Sequence, residues 1–174
     1  MTDRRSERPR TPPPILVLPD RRLRIVARPV RVPDPAIDRL VDDLVAAMHR
    51  ARGLGLAAPQ VGEPLAVAVI EIEGRLTVLV NPTLQRTRDE QVDWEACLSV
   101  PHLVAEVPRP NDVTVRAQEL DGRWRTHRGR GLFARALMHE TDHLAGRLYV
   151  DLVPAGALVD TREHPTPPRR SPGG

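Results

Sequence analysis

The sequence has no lysine, a single cysteine and very few aromatic side chains. Without lysine, every basic side chain is an arginine, and the formal charge of +3 is the balance of 26 basic against 23 acidic residues. A pI near 10.2 beside so small a charge follows, because guanidinium groups do not deprotonate in the range where lysine would. The bias toward Arg, Ala and Pro fits a GC-rich coding sequence better than selection for phosphate binding. Charges of both signs are mixed along the chain, and no basic run carries the interleaved aromatics of a nucleic-acid platform, so direct nucleic-acid reading is not expected. One cysteine excludes an intrachain disulfide and fits a reducing compartment. Aromatics make up 2% of the chain (Trp94, Trp124, Phe133 and Tyr149), so the core must come from Val, Leu, Ile and Ala. No apolar run is long enough to span a membrane, and the opening MTDRRSERPRTPPP lacks the apolar stretch of a secretory signal. These absences point to the cytoplasm and away from a membrane.

The 174 residues suit one domain with a real core. Residues 1–14 and 159–174 are rich in Pro, Arg, Ser and Gly and read as disordered tails around a body at 15–158. Asp34 and Pro35 open a helix whose apolar stripe is Ile37, Leu40, Val41, Leu44, Val45 and Met48, ending near Arg52 with Gly53 at its C-cap. LAVAVIEI and LTVLVNP read as strands joined at Glu73-Gly74. A polar loop follows, then a short extended piece, DWEACLSVP, closed by Pro101. NDVTVRAQEL and RWRTHR form a second hairpin around Asp121-Gly122. GLFARALMHETDHLAG is a final helix ended by Gly146. The fold class is α+β, with antiparallel strands packed around a buried C-terminal helix.

That last helix carries His139-Glu140-Thr141-Asp142-His143, an H-E-x-x-H pattern. Four residues apart on a helix, the two imidazoles share a face and can share a metal ion, while Glu140 is placed to take a proton from a water. Leu132, Phe133, Ala136, Leu137 and Leu144 bury the helix, and buried polar groups need partners. A catalytic site needs a third ligand and an open position. Three sources are available. A third histidine at the HExxHxxGxxH spacing is one, but Tyr149 stands there. Glu163 is another, in the Pro-rich tail. The third is Cys97, a lone cysteine in Glu-Ala-Cys-Leu-Ser-Val-Pro.

Three segments, in order, resemble the peptide deformylase family: Gly53-Leu54-Gly55-Leu56-Ala57-Ala58-Pro59-Gln60, then Glu95-Ala96-Cys97-Leu98-Ser99, then His139 to His143. The resemblance covers about Leu18 to Leu152. It implies a deformylase-like metallohydrolase that removes the N-formyl group from the N-terminal methionine of newly made polypeptides. It implies one divalent metal, Fe²⁺ (with Zn²⁺, Ni²⁺ or Co²⁺ able to occupy the site), on Cys97, His139 and His143. A hydroxide generated on that metal would attack the formyl carbon, with Glu140 as general base. Gln60 and the backbone N–H of Leu98 would steady the oxyanion. Leu54, Gly55, Ala96, Leu132, Arg135 and Ala136 would touch substrate, with Gly53 and Gly55 letting backbone approach it closely. Glu95 and Arg109 would pair behind the cysteine strand. The partners implied are N-formylmethionyl nascent peptides and a transient ribosome contact.

The sequence departs from the family pattern at Ala96 (usually Gly), Met138 (usually Gln) and Arg135. The last lies one turn before His139, on a face that is apolar in the family. Arg135 would either snorkel to solvent or place a cation in the side-chain pocket and alter specificity. The alternatives are therefore a hydrolase of altered substrate preference, a non-catalytic protein that binds formyl peptides or inhibitors, and an endopeptidase using Glu163.

Overall fold

Asp34 accepts a hydrogen bond from the Ala36 N–H and starts helix α1, Pro35–Arg50. The pyrrolidine at the first helical position costs nothing, because that N–H would have no intrahelical partner. The helix ends in a Schellman arrangement: the Gly53 N–H reaches the Met48 carbonyl and the Arg52 N–H reaches that of His49. The left-handed residue of that cap is Arg52, at φ 55°, and not Gly53. In this computed structural model residues 11–163 are described; of the tails expected at 1–14 and 159–174, residues 1–10 and 164–174 lie outside them.

The strands form one antiparallel sheet in the order β1-β2-β3-β4-β5, with β6 on β4. β1 is Gly55–Ala57, β2 Val67–Ile72, β3 Arg75–Cys97, β4 Val100–Gln118, β5 Trp124–Arg130 and β6 Val159–Asp160. Glu73 and Gly74 both have positive φ, as the tight β2–β3 turn requires. β2 is buried on both faces. Val67 and Val69 pack against Leu40, Leu44 and Met48 of α1, while Ile70 packs with Leu79, Val113 and Val115 against helix α2, Gly131–Leu144. Alternation along a strand sends successive side chains to opposite faces, so one strand serves both helices.

Two stretches differ from the sequence expectation. The polar loop after Pro82 is the middle of β3, which pairs with β4 from Thr83–Arg116 to Ala96–Val104 and has register shifts near Val80 and Leu84. Its side chains from Thr83 to Glu90 are exposed, so no apolar alternation marks it as a strand; the ladder to β4 satisfies its backbone. Pro101 likewise lies inside β4 and does not close a strand. At the C-terminal side the ordered sheet runs past Leu158, because Val159 and Asp160 pair with Val104 and Leu103. At the N-terminal side an extended segment stitches the site together: the Leu16 N–H bonds the Gln60 carbonyl and the Leu18 N–H that of Ser99.

Candidate metal centre and active site

Helix α2 presents His139 and His143 from one face, with Nε2 atoms 3.2 Å apart. Cys97, the last residue of β3, brings its sulfur to 3.3 Å from the His143 Nε2. All three donor atoms lie within 4.8 Å of one another. Tetrahedral coordination at about 2.1 Å for nitrogen and about 2.3 Å for sulfur would set ligand atoms roughly 3.4–3.7 Å apart. The observed spacings are close to that, so a single ion fits the cradle with little movement. Within the H-E-x-x-H segment two buried atoms have no partner among the described residues, Glu140 Oε2 and His143 Nδ1, and a carboxylate oxygen left free beside the three donors suits a base acting on a water there.

Glu140 is buried against Gly55. A Cβ on Gly55 would lie 2.3 Å from Glu140 Oε1, so this glycine is required by the carboxylate itself. The sequence reading assigned Gly55 to close approach of substrate; the structure shows it making room for Glu140. Burial raises the Glu140 pKa to about 7, and the charge of Glu95 adds to this against the opposing effect of His139. A bound dication would pull it back down.

Behind the triad lies a buried charge network. Glu95 accepts from Arg109 Nε at 2.8 Å and Nη2 at 3.0 Å, from Arg135 Nη1 at 2.8 Å, and sits 3.0 Å from His139 Nδ1. Burial alone would raise the Glu95 pKa, but the hydrogen bonds to His139 and Arg109 outweigh it and bring it to about 2. For His139, burial opposes the charged form, and the Cys97 sulfur and Glu95 carboxylate reverse this and hold its pKa well above the ordinary value. His143 is pushed the other way, by burial and by the charge on His139. Metal loading needs neutral imidazoles and a thiolate, so it displaces protons. A carboxylate on the far nitrogen of a ligating histidine fixes its tautomer and ring orientation.

Gln60 is buried, with its Oε1 accepting the Ala57 N–H and its Nε2 donating to Ser99 Oγ at 3.0 Å and facing Cys97 Sγ at 3.7 Å. Leu98 follows Cys97 and contacts Gly53, where a Cβ would come within 2.8 Å of its side chain. Ala96 is exposed on β3 with no positive φ, so its replacement of glycine needs no unusual backbone. Leu54 and Leu132 are 51% and 52% exposed, and Ala136 is buried. Arg135 does not snorkel to solvent. It is 5% exposed and held by Glu95 and the Val107 carbonyl, while its Nε and Nη2 have no partner among the described residues. Glu163 is exposed in the turn after β6 and is not among the gathered donors. A wide cleft of about 880 Å³ also lies elsewhere, bordered by Arg75, Glu119, Arg125 and His127.

Three supporting residues carry no sequence prediction of their own. Ser99 accepts from Gln60. Asp142 bridges Arg109 and Arg147, at 2.7 Å to the latter. Tyr149 stacks on His139 at 6.3 Å and donates to the Leu103 carbonyl. Asp142 sits inside the HExxH segment and could have been suspected from the helical period, which turns it toward the sheet. The other two depend on chain crossings that no local pattern reveals.

An H-E-x-x-H helix with a strand cysteine beside it, packed on an antiparallel sheet, has the donor set of a metallohydrolase. The sequence profile of polypeptide deformylases matches residues 12–156, and the chain belongs to that family. It is 41% identical over 129 residues to a peptide deformylase of Dictyoglomus thermophilum, covering 74% of this chain and 84% of the relative. Against a peptide deformylase of Acetivibrio thermocellus the identity is 45% over 134 residues, 77% and 79% of the two chains. Among solved structures, a peptide deformylase from Legionella pneumophila superposes with a TM-score of 0.82 at 41% identity, covering 84% of this chain and 89% of that one. One from Synechococcus elongatus, solved in complex with actinonin, gives 0.80 at 39%, covering 83% and 80%. One from Acinetobacter baumannii with Met-Ala-Ser bound gives 0.78 at 28%, covering 82% and 99%. The protein is thus a hydrolase, and its family removes the formyl group from newly made polypeptides. No helix among the described residues is long and apolar enough to cross a membrane.

Proposed function

We propose that Cys97, His139 and His143 hold one divalent ion, Fe²⁺, and that Glu140 is the general base for deformylation of N-formylmethionyl peptides in the cytoplasm. The observation that carries this reading is the convergence of the three donors beside a buried, unpartnered Glu140 oxygen. Zn²⁺, Ni²⁺ and Co²⁺ suit the same donors. When bound, the ion supplies a Lewis acid and makes a water nucleophilic.

The chain's own groups do the rest. Glu140 accepts the proton of the attacking water at Oε2 and passes it to the amine nitrogen as the C–N bond breaks, giving formate and a free N-terminus. Gln60 Nε2 and the Leu98 N–H donate to the oxygen of the former formyl carbonyl as it becomes negative. Ser99 holds the Gln60 amide in place before substrate arrives. Glu95, anchored by Arg109, keeps the His139 Nε2 pointed at its partners. Leu54, Gly55, Ala96, Leu132 and Ala136 border the peptide. A transient ribosome contact would bring nascent chains within reach.

Metal content tests the ligand assignment. Purified protein should carry about one ion per chain, and Cys97→Ser should lose most of it along with activity. Full metal retention in Cys97→Ser, with loss in Glu163→Ala, would transfer the third ligand to Glu163.

A second reading is favoured by the unpaired Nε and Nη2 of Arg135. Those donors would suit a polar or acidic first side chain. Parent protein would then prefer formyl-Glu over formyl-Met peptides by kcat/KM, and Arg135→Ile would reverse the order. An unchanged order in that variant removes the reading.

A further inference from the structure

The sheet gathers arginines that the sequence keeps apart. Directly paired residues of antiparallel strands project to the same face. Across β3, β4 and β5 the rows are Thr83–Arg116–Thr126, then Arg86–Thr114–Arg128, then Arg88–Asp112–Arg130. The intervening Val113, Val115 and Ala117 point the other way, into the core under α2. The arginine rows therefore lie on the face turned away from α2 and from the metal ligands it carries.

Helix α1 covers this face only over β2 and the start of β3, where Val67, Val69 and Val80 pack against it. Beyond that edge nothing in the described chain covers it, and Arg86, Arg88, Arg116, Arg128 and Arg130 are all exposed. Arg130 pairs with Asp112 at 3.1 Å. Arg116 stacks over the Trp124 ring at 4.7 Å, and Trp124 is itself 48% exposed in the next row. No ion pair engages Arg86, Arg88 or Arg128 among the described residues.

We propose that this face is a docking surface for the phosphate backbone of RNA. Rows step by about 7 Å along the strands and about 5 Å between them, which presents guanidinium forks on one face of the sheet. Such forks match phosphate oxygens in pairs, and threonine hydroxyls between them add neutral donors. Nothing in the arrangement reads base edges, so the contact is electrostatic and independent of sequence. RNA is the occupant the charge favours: a protein partner would need a dense acidic stripe, and a membrane would call for more than one exposed apolar anchor. The choice of RNA also rests on the proposed function, because the substrate emerges on a particle whose surface is largely RNA.

The test uses full-length Glu140→Gln protein, so binding is read apart from any turnover. Fluorescence anisotropy follows a labelled 20-base-pair RNA duplex between 50 and 200 mM KCl. Parent-level binding should weaken steeply with salt. Arg86→Gln/Arg88→Gln/Arg128→Gln should raise Kd about tenfold at 100 mM and flatten the log–log salt slope by about 2–3. The corresponding triple lysine variant should keep most of the slope. In otherwise wild-type protein, the glutamine triple should hydrolyse a free formyl peptide at the parent rate, which also reports that it is folded. Equal RNA affinity in parent and glutamine triple overturns the proposal. So does arginine-dependent binding to phosphatidylglycerol vesicles without binding to the duplex. Failure of deformylation with RNA binding intact would instead count against the proposed function alone.

Discussion

At the residue scale, most of the site's organisation passes through Glu95. A single buried carboxylate serves Arg109, Arg135 and the His139 Nδ1. Removing its charge strands the buried Arg135 guanidinium and leaves Arg109 with Asp142 alone, and breaking a buried pair from one side costs about 3–5 kcal/mol. Glu95→Gln should therefore lower stability to denaturant by that order and weaken metal affinity roughly 10–100-fold, measured by chelator competition. Unchanged affinity would mean that the carboxylate does not steer His139. Arg135→Met should be far milder, because Arg109 still neutralises Glu95 and an apolar side chain removes two unpartnered donors. Gly55→Ala gives a separate prediction. Its methyl would collide with Glu140 Oε1, so kcat should fall at least about tenfold while metal content stays near one ion per chain. A fully active Gly55→Ala enzyme would show that Glu140 has other places to sit.

At the scale of elements, legibility followed locality. The two helices and the tight β2–β3 and β4–β5 turns announce themselves by cap residues, apolar period and Gly-containing turns, and they lie where that reading puts them. The His139–His143 pairing is fixed by one helical turn, so it too could be read locally. The middle of β3 could not, because its strand character comes from a partner strand about thirty residues away and its side chains face water. The sequence leaves the position of Arg135 open between solvent and pocket for a related reason. A helical wheel shows which face a residue occupies, and a buried acid on another strand decides where its long side chain goes. The N-terminal stitch was also invisible. Deleting residues through Leu18 removes the bonds that tie the Gln60 and Ser99 segments together, and should cost both metal retention and a cooperative melt. Stopping the chain after Leu158 removes the β6 pairing and the Thr161 bonds to the His102 carbonyl, none of them made by a metal ligand, so metal should be kept and Tm should drop by a few degrees, about 1 kcal/mol. Loss of metal in that truncation would revive Glu163 as a ligand.

At the scale of the molecule, one sheet separates two surfaces. Its inner face carries α2 and the metal ligands, and its outer face, beyond α1, carries an arginine grid. The composition hinted at neither arrangement, since arginines spread evenly in sequence look like a solvated surface until strand register aligns them. The α+β fold was legible from the order of helices and strands, and membership of the deformylase family from three short motifs in order, because each holds a chemical requirement that few other sequences meet together. The central claim is that Glu140 deprotonates the attacking water at a metal held by Cys97, His139 and His143. The most direct measurement is hydrolysis of formyl-Met-Ala-Ser by Fe²⁺- or Ni²⁺-loaded protein, beside Glu140→Gln with the same metal content. Turnover in the parent and a loss of at least about a hundredfold in the variant is the predicted result. Comparable turnover in both proteins would contradict it.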